Sequence, residues 1–217
     1  MTRRCIALLG GSFDPVHNAH VALANYFAKL LFPDELRIIP AGNPWQKQPL
    51  HASAEHRVAM LRLAFGGFSM PVSIDSQELL RHGPSYTVDT LRAIRTEVGP
   101  ETSLMMLVGA DQLQRLHTWH GWRELFDLAH VCAASRPGFG LDAMDLAPEV
   151  AHEVARRSAT PDQIRATPHG LMFFAANLAI DVSSTQIRTA LHSGDQPVSL
   201  IPPGVLDYIK QHHLYRN

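Results

Sequence analysis

The sequence predicts an α/β fold, with a mainly parallel sheet and helices packed on its faces. Short apolar runs alternate along the 217 residues with segments of helical periodicity, which is the pattern that parallel strands and crossover helices produce. The alternation repeats about five times, in a rhythm typical of βα units. Hydrophobic residues make up 46% of the chain and charged residues 18%, so it can bury a substantial core.

Local signals set the bounds of the predicted elements. An apolar stripe runs along the helix at 19–32, which ends before Pro33. Ser53 is expected to cap the next helix, and Gly99 to end the one after it. Strands are predicted at 5–9, 36–39, 72–74, 104–108, 130–134 and 171–175, and helices at 19–32, 54–65, 87–98 and 148–157, followed by two short C-terminal helices.

Composition and cysteine usage bear on class and location. The net charge is −1, without the surplus of lysine and arginine by which proteins bind nucleic acid. No segment approaches the ~20 apolar residues that span a membrane, so no membrane partner is expected. Cys5 and Cys132 lie in apolar strands without a Cys-x-x-Cys spacing, which indicates a cytoplasmic protein. The length predicts a single domain over residues 1–217.

The residues that carry chemistry follow the first predicted strand. In an open α/β sheet, ligands bind beyond the carboxyl ends of the strands, so this loop is where a site belongs. Gly10 and Gly11 allow the backbone to approach a phosphate closely and to adopt a positive φ. The next helix presents unpaired N–H groups and the positive end of its dipole. His17 and His20, three residues apart at the start of that helix, would therefore face one anion.

Plainer interpretations of the histidine pair remain open. Histidines at i and i+3 resemble half of a zinc site, although no adjacent third ligand is evident. They could also be helix-start residues without a chemical role. The loop lacks the Gly-Lys-Ser/Thr ending of a P-loop and the third glycine of a dinucleotide fingerprint. Other histidines are expected on the solvated surface: His51, His82, His192, His212 and His213.

Two motifs together resemble those of a known superfamily. Residues 10–20 read Gly-Gly-Ser-Phe-Asp-Pro-Val-His-Asn-Ala-His, similar to the Gly-Gly-x-Phe-Asp-Pro-x-His-x-x-His signature of the nucleotidylyltransferases. Residues 183–188 read Ser-Ser-Thr-Gln-Ile-Arg, similar to the second signature of that superfamily. The resemblance implies a Rossmann-like, doubly wound sheet with helices on both faces. It also implies that a C-terminal helical segment, 183–217, carries the second phosphate motif.

Features along the chain narrow the resemblance to the bacterial nicotinate-nucleotide adenylyltransferases. The similarity runs essentially from residue 7 to residue 215. Its marks include Pro84-Ser85-Tyr86-Thr87 opening a helix, Gly109-Ala110-Asp111 after a strand, Thr118-Trp119 and Ser135-Arg136-Pro137-Gly138.

The chain departs from the family pattern at two places. Ala19 stands where the family's His-x-Gly-His has glycine, which narrows the space beside the phosphates. Residues 44–47 read Pro-Trp-Gln-Lys where the family often has a Pro-Pro-His-Lys-like run. Lys47 survives there as a candidate contact for the phosphate of the mononucleotide.

The resemblance implies a reaction and a set of site residues. A phosphate oxygen of nicotinate mononucleotide would attack the α-phosphorus of ATP, with loss of pyrophosphate, in NAD biosynthesis. His17 and His20 would be the catalytic donors to phosphate oxygens. Mg²⁺ would be held mainly by the ATP phosphates, without protein ligands. ATP would be bound by Gly10, Gly11, Ser12, Phe13, Asp111, Arg136, Ser183, Ser184, Thr185 and Arg188, and the mononucleotide by Lys47, Ser85, Tyr86, Thr87, Trp119 and His120.

The sequence leaves alternatives open for several of these residues. The Ser-Ser-Thr run at 183–185 alone would be an ordinary helix cap, Asp111 could be an N-cap, and Trp119 could be a core or surface aromatic. The acceptor could instead be nicotinamide mononucleotide or another phosphorylated molecule. The chain could also be a non-catalytic nucleotide sensor, although a sensor needs no donors aimed at the reacting phosphate.

Overall fold

The computed structural model describes residues 3–42, 50–135, 145–176, 178 and 182–216. Over these residues the chain forms a six-stranded sheet in the order β3-β2-β1-β4-β5-β6, and every pair of neighbouring strands is parallel. This is the strand order of a doubly wound, Rossmann-like sheet, so the predicted fold class is confirmed. The strands are β1 (Cys5–Gly11), β2 (Glu35–Pro40), β3 (Val72–Ile74), β4 (Ser103–Gly109), β5 (His130–Ser135) and β6 (Met172–Ala176).

The helices follow the strands along the chain. In the described ranges they are α1 (Asn18–Leu31), α2 (Ala54–Phe65), α3 (Thr87–Val98), α4 (Ala110–Gln114), α5 (Leu125–Leu128), α6 (Pro148–Arg157), α7 (Pro161–Ala166), α8 (Ser184–His192) and α9 (Pro203–Gln211). Two 3₁₀ turns lie at Leu116–Thr118 and Trp122–Glu124. None of these helices is long and apolar enough to cross a membrane.

The predicted bounds agree closely with the structure. Helices α2, α3 and α6 and strand β3 begin and end where the sequence predicted, and the other predicted strands and α1 shift by one or two residues at an end. Ser53 caps α2 by accepting from the backbone N–H of His56, and Gly99 follows α3 with φ 84°. Helices α4, α5 and α7 are missing from the prediction, because segments of 4–6 residues are too short to show helical periodicity.

Helices cover both faces of the sheet. Along β1, Cys5, Ala7 and Leu9 pack with the apolar sides of α1, α2, α8 and α9. Ile6 and Leu8 point to the opposite face and pack with α3, α5 and α6. Cys5 and Cys132 are both buried and unbonded to each other, as expected for small core residues.

The strand order places a crevice at the carboxyl end of the sheet. The chain moves outward from β1 through β2 to β3 on one side, and from β4 through β5 to β6 on the other. The connections that leave β1 and β4 therefore diverge, and the loops after these two adjacent strands open a gap between them. The loop into α1 and the start of α4 lie at this switch point.

Candidate active site

A cleft of about 1180 Å³ opens at the switch point, and it collects residues from distant parts of the sequence. Its walls come from the β1–α1 loop, the starts of α1, α3, α4 and α8, and the segment after the first 3₁₀ turn. Lys47 and Arg136 lie outside the described residues. All the other predicted site residues line the cleft: Gly10, Gly11, Ser12, Phe13, His17, His20, Ser85, Tyr86, Thr87, Asp111, Trp119, His120, Ser183, Ser184, Thr185 and Arg188.

The two glycines give the β1–α1 loop room but do not supply its unusual backbone angle. A Cβ on Gly10 would meet nothing within 4 Å, so this backbone is open to a ligand. A Cβ on Gly11 would come within 3.0 Å of the Phe13 ring. The positive φ in the loop belongs to Phe13, at 49°, and not to either glycine as the sequence suggested. Phe13 is fully buried, so its packing holds the backbone in that conformation.

His17 and His20 form a stacked pair at the start of α1. Their ring centroids are 3.7 Å apart with an interplanar angle of 29°, and Phe13 contacts His20 edge-on with centroids 4.9 Å apart. The backbone N–H of His17 donates to Nδ1 of His20 at 3.2 Å. Because this nitrogen accepts, the neutral ring of His20 carries its proton on Nε2. The turn of the helix thus fixes both the orientation and the tautomer of His20.

His17 is the more buried member of the pair. It is 6% exposed, and burial lowers its pKa to about 4, so the ring is uncharged at neutral pH. Its Nδ1 is buried and has no hydrogen-bond partner among the described residues. A buried polar atom without a partner is costly, and the capping-box position of the His17 side chain sets it toward the backbone N–H of His20.

The start of α8 packs against the same loop. Ser183 caps the helix by accepting from the N–H of Gln186 at 3.2 Å, so the ordinary capping interpretation holds alongside its position in the cleft. Ser184 Oγ donates to the Pro15 carbonyl at 3.0 Å. Arg188 donates from Nη1 to the Asp14 carbonyl at 2.7 Å and from Nη2 to Thr185 Oγ1 at 3.2 Å. The two sequence motifs therefore meet, although they lie 174 residues apart along the chain at the Arg188–Asp14 contact.

Aromatic rings form the other wall, at the start of α3. Tyr86 stacks on His120 with centroids 4.3 Å apart and an interplanar angle of 28°. Trp119 is half-buried, because its ring also packs against the apolar cluster beneath α3. Its indole Nε1 is buried without a hydrogen-bond partner among the described residues. Trp119 thus belongs to both the core and the cleft, so the two interpretations that the sequence offered are compatible.

Asp111 is an exposed carboxylate at the edge of the cleft. It is the second residue of α4, and the N-cap position belongs to Gly109, so the N-cap alternative for Asp111 is wrong. Its Oδ2 accepts from Gln112 Nε2 at 2.6 Å. A Cβ on Gly109 would lie 2.6 Å from Asp111 Oδ1, so a side chain there would require the exposed Asp111 carboxylate to move.

Sequence reasoning missed several polar residues that organise the walls. Glu78 is buried in the cleft, accepts from Thr90 Oγ1 at 2.7 Å, and has its pKa raised by burial. Asp14 belongs to the β1–α1 loop and lines the cleft, and Arg57 and Tyr215 contact this loop at the Ser12 carbonyl and the Asp14 carboxylate. One signal could have revealed Arg57: it lies three and four residues before Met60 and Leu61, so it interrupts the apolar face of α2.

Nothing in the described part of the chain supports the zinc alternative. There, no group of three or more His, Cys, Asp or Glu side chains could hold a metal ion. The five histidines expected at the surface are all exposed: His51, His82, His192, His212 and His213.

The chain is similar to known proteins over nearly its whole length. Residues 8–190 match the family model described as cytidylyltransferase-like. A relative from Herminiimonas arsenicoxydans, named "probable nicotinate-nucleotide adenylyltransferase", is 62% identical over 214 residues, which cover 99% of this chain and 98% of that protein. A relative of the same name from Laribacter hongkongensis is 46% identical over 217 residues, covering 100% and 97%.

A solved structure has the same fold. It is Plasmodium falciparum nicotinic acid mononucleotide adenylyltransferase complexed with NaAD, which aligns over 98% of both chains with a TM-score of 0.74. The sequences are 18% identical, so this likeness bears on the fold alone.

Proposed function

The chain belongs to the cytidylyltransferase-like family, and on that premise we propose that it is an adenylyltransferase that joins ATP and nicotinate mononucleotide. The products are nicotinate adenine dinucleotide and pyrophosphate, so the reaction is a step of NAD biosynthesis. Relatives that carry the name of this activity match nearly the whole chain. In the cleft, the proposal depends most on the stacked pair His17 and His20 beside the start of α8.

The reaction is a single in-line displacement. A phosphate oxygen of the mononucleotide forms a bond to the α-phosphorus of ATP. The bond from that phosphorus to the bridging oxygen breaks, and its electron pair leaves with pyrophosphate. No side chain of the enzyme forms a covalent bond, so the protein contributes by positioning the two substrates and by stabilising the charge that develops on the phosphate oxygens.

The histidine pair supplies hydrogen-bond donors for that charge. His20 carries its proton on Nε2, since its Nδ1 accepts from the backbone. His17 is uncharged in the free protein because burial lowers its pKa to about 4, and a phosphate beside it would favour the protonated form. We assign both rings to the α-phosphate and bridging oxygens, and the Ser183–Thr185 start of α8 with Arg188 to the β- and γ-phosphates.

We assign Mg²⁺ to the phosphates of ATP. Mg²⁺ prefers oxygen ligands, and a triphosphate supplies them. Of the carboxylates that line the cleft, Asp14 and Glu78 are buried and already accept hydrogen bonds from the protein, whereas Asp111 is exposed. When bound, the ion would neutralise charge on the leaving pyrophosphate. The remaining work of the cleft residues is to hold the triphosphate in line with the acceptor.

The aromatic wall suits a flat ring that bears a carboxylate. Trp119 and the Tyr86–His120 stack offer ring faces, and the N-terminus of α3 at Thr87 offers backbone N–H groups. Hydrogen bonds to a charged acceptor are about twice as strong as those to a neutral one. This favours nicotinate over nicotinamide. For Lys47 and Arg136, the phosphate-binding roles that the sequence suggested stay predictions, which variants of these two residues would test.

Pyrophosphate release with ATP and a panel of acceptors tests this function. We expect kcat/KM for nicotinate mononucleotide to exceed that for nicotinamide mononucleotide by ~10–10³, with no turnover of phosphopantetheine. Equal efficiency with the two mononucleotides would refute the nicotinate assignment. ATP binding without pyrophosphate release for any acceptor would favour a non-catalytic sensor.

Two further expectations belong to this proposal. The chain would act as one domain, because α8 and α9 pack on the same sheet face as α1 and α2, and α8 contacts the β1–α1 loop. The reaction would take place in the cytoplasm, where ATP is available. Limited proteolysis that released a stable fragment would contradict the first expectation, and fractionation of cells would test the second.

A further inference from the structure

Side chains from helices α2 and α8 donate hydrogen bonds to backbone carbonyls of the β1–α1 loop. The Ser12 carbonyl accepts from Arg57 Nη1 at 2.8 Å, and the Asp14 carbonyl accepts from Arg188 Nη1 at 2.7 Å. The Pro15 carbonyl accepts from Ser184 Oγ at 3.0 Å. Two of the three donors are guanidinium groups. The loop that borders the proposed triphosphate site is therefore held mainly by positively charged side chains, which donate to its carbonyl oxygens.

This arrangement matters for an anionic ligand. A carbonyl oxygen that turns toward a triphosphate repels it, whereas a carbonyl that accepts a hydrogen bond from a guanidinium group is fixed and its partial negative charge is offset. Arg188 lines the cleft, so it can also reach a ligand. Arg57 does not line the cleft, and its contact with Ser12 places it behind the loop.

Arg57 is an unusually costly residue to place there. It is 2% exposed, and burial lowers its pKa, an effect that the charge of Asp14 opposes. Its Nε is buried without a hydrogen-bond partner among the described residues. Burying a charge costs free energy unless it is well paired and hydrogen-bonded. Stability alone therefore gives little reason for an arginine on the apolar face of α2.

The Asp14 carboxylate ties the same position to two other segments. It is 2% exposed and accepts from the backbone N–H groups of His51 and Ala52, at 2.7 and 3.0 Å. It also accepts from the Tyr215 hydroxyl at 2.7 Å, and burial raises the pKa of Tyr215, so this hydroxyl keeps the proton that it donates. The loop, the approach to α2 and the C-terminal end of the chain are thus joined at one carboxylate.

We propose that Arg57 is a positioning residue for ATP, which fixes the Ser12 carbonyl and so sets the β1–α1 loop, while the Asp14 carboxylate joins that loop to the approach to α2 and to Tyr215. This inference rests on the proposed function only in taking ATP as the ligand of the loop. Arg57 acts through Ser12 and makes no contact with the reacting atoms. Its loss should affect ATP and not the acceptor.

The test compares Arg57→Lys with Arg62→Lys, a matched change of an exposed arginine on the same helix. Lysine keeps the charge but lacks the planar fork that holds a carbonyl rigidly. We expect Arg57→Lys to weaken binding of ATP with Mg²⁺ by about tenfold or more in calorimetry, as loss of a charge-assisted hydrogen bond does. Binding of nicotinate mononucleotide should stay within about twofold, and Arg62→Lys should match the wild type.

A second variant, Tyr215→Phe, removes one hydroxyl and keeps the ring. We expect it to weaken ATP binding by about threefold, since Asp14 keeps its two backbone donors, and to leave acceptor binding unchanged. ATP affinity within twofold of wild type in both folded variants would overturn the proposal. So would an equal loss of ATP and acceptor binding that followed the loss of folded protein in thermal unfolding, because that pattern indicates a purely structural role. Calorimetry requires no turnover, so failure of the pyrophosphate-release assay would refute the proposed function separately.

Discussion

The two walls of the cleft are built in different ways. On the side proposed to bind ATP (the ATP wall), helices α2 and α8 hold one short loop by hydrogen bonds to its backbone carbonyls. On the side proposed to bind the acceptor (the acceptor wall), Tyr86 stacks on His120 and Trp119 packs against apolar residues, beside a hydrogen bond from Thr90 to Glu78. Directional bonds fix atoms to within tenths of an ångström, whereas stacked rings can slide. The ATP wall is therefore suited to aligning a reacting phosphate, and the acceptor wall to selecting a ring by shape and charge.

The largest effect is expected on the ATP wall, at His20. Replacing it by alanine removes an Nε2–H donor whose tautomer the backbone fixes, so kcat should fall by ~10²–10³, the usual cost of one transition-state donor. The KM for ATP should change far less. The melting temperature should shift by only a few degrees, because the residue lies at a loop–helix junction and is partly exposed.

Steady-state kinetics of His20→Ala and of a control, His192→Ala, would check this. His192 is exposed at the end of α8, so its replacement should leave both constants at the wild-type level. A kcat for His20→Ala within threefold of wild type would show that the stacked pair is not the source of donors.

The ATP wall also makes stability depend on pH, through His17. Burial lowers its pKa to about 4, and it does the same for His130, a scaffold residue on β5 that is fully buried. The unfolded chain takes up protons near pH 6.5 and the folded chain does not, so the free energy of unfolding should fall as pH drops from about 6.5 to 4. Each histidine can account for up to about 3 kcal/mol, and below pH 4 the loss should level off.

Urea unfolding at several pH values between 7.5 and 4.5 measures this slope, and His130→Asn separates the scaffold from the site. His130 accepts from the Leu171 N–H at its Nδ1 and contacts the Thr167 carbonyl at 2.9 Å through Nε2. The variant should be less stable at pH 7.5 yet lose less stability on acidification. A slope unchanged by His130→Asn would contradict the contribution assigned to His130. The slope that remains in the variant is ascribed to His17 on the ATP wall and to other groups.

A smaller effect is expected on the acceptor wall, where the change should fall on acceptor binding and not on ATP. Trp119→Ala should weaken binding of the acceptor by ~1–3 kcal/mol, the usual contribution of one stacking ring, while the KM for ATP stays nearly constant. Since Trp119 also packs against the core beneath α3, the melting temperature should fall as well. Trp119→Phe keeps an aromatic face and should recover most of the acceptor affinity. An unchanged acceptor KM in Trp119→Ala would return this residue to ordinary packing.

The same contrast explains what the sequence could predict. The stacking of His17 on His20 is local, because three residues in a helix bring the two rings together, and the spacing alone indicates it. Strand and helix bounds are local too, which is why they agree to within two residues. The contacts of Arg57 and Asp14 could not be predicted, because their partners lie 45 and 37 residues away at Ser12 and His51. No periodicity connects positions so distant, and only the fold brings them together.

The smallest expected effect concerns Ala19, where the family pattern has glycine. Ala19 is the second residue of α1 and lines the cleft beside His20. Glycine in a helix costs ~0.5–1 kcal/mol relative to alanine, so Ala19→Gly should lower the melting temperature by about 2–4 °C at most. The triphosphate is proposed to be held by imidazole N–H groups and backbone, which the methyl group does not remove, so the KM for ATP should change by less than about threefold. Ala22→Gly is the matched control, since it lies one turn further along α1, outside the cleft lining, and carries the helix cost alone. A fall in the KM for ATP of tenfold or more in Ala19→Gly, absent from Ala22→Gly, would mean that the methyl group obstructs the phosphates. The ATP wall would then tolerate less variation than its hydrogen bonds suggest, and the departure at residue 19 would mark a reduced affinity for ATP.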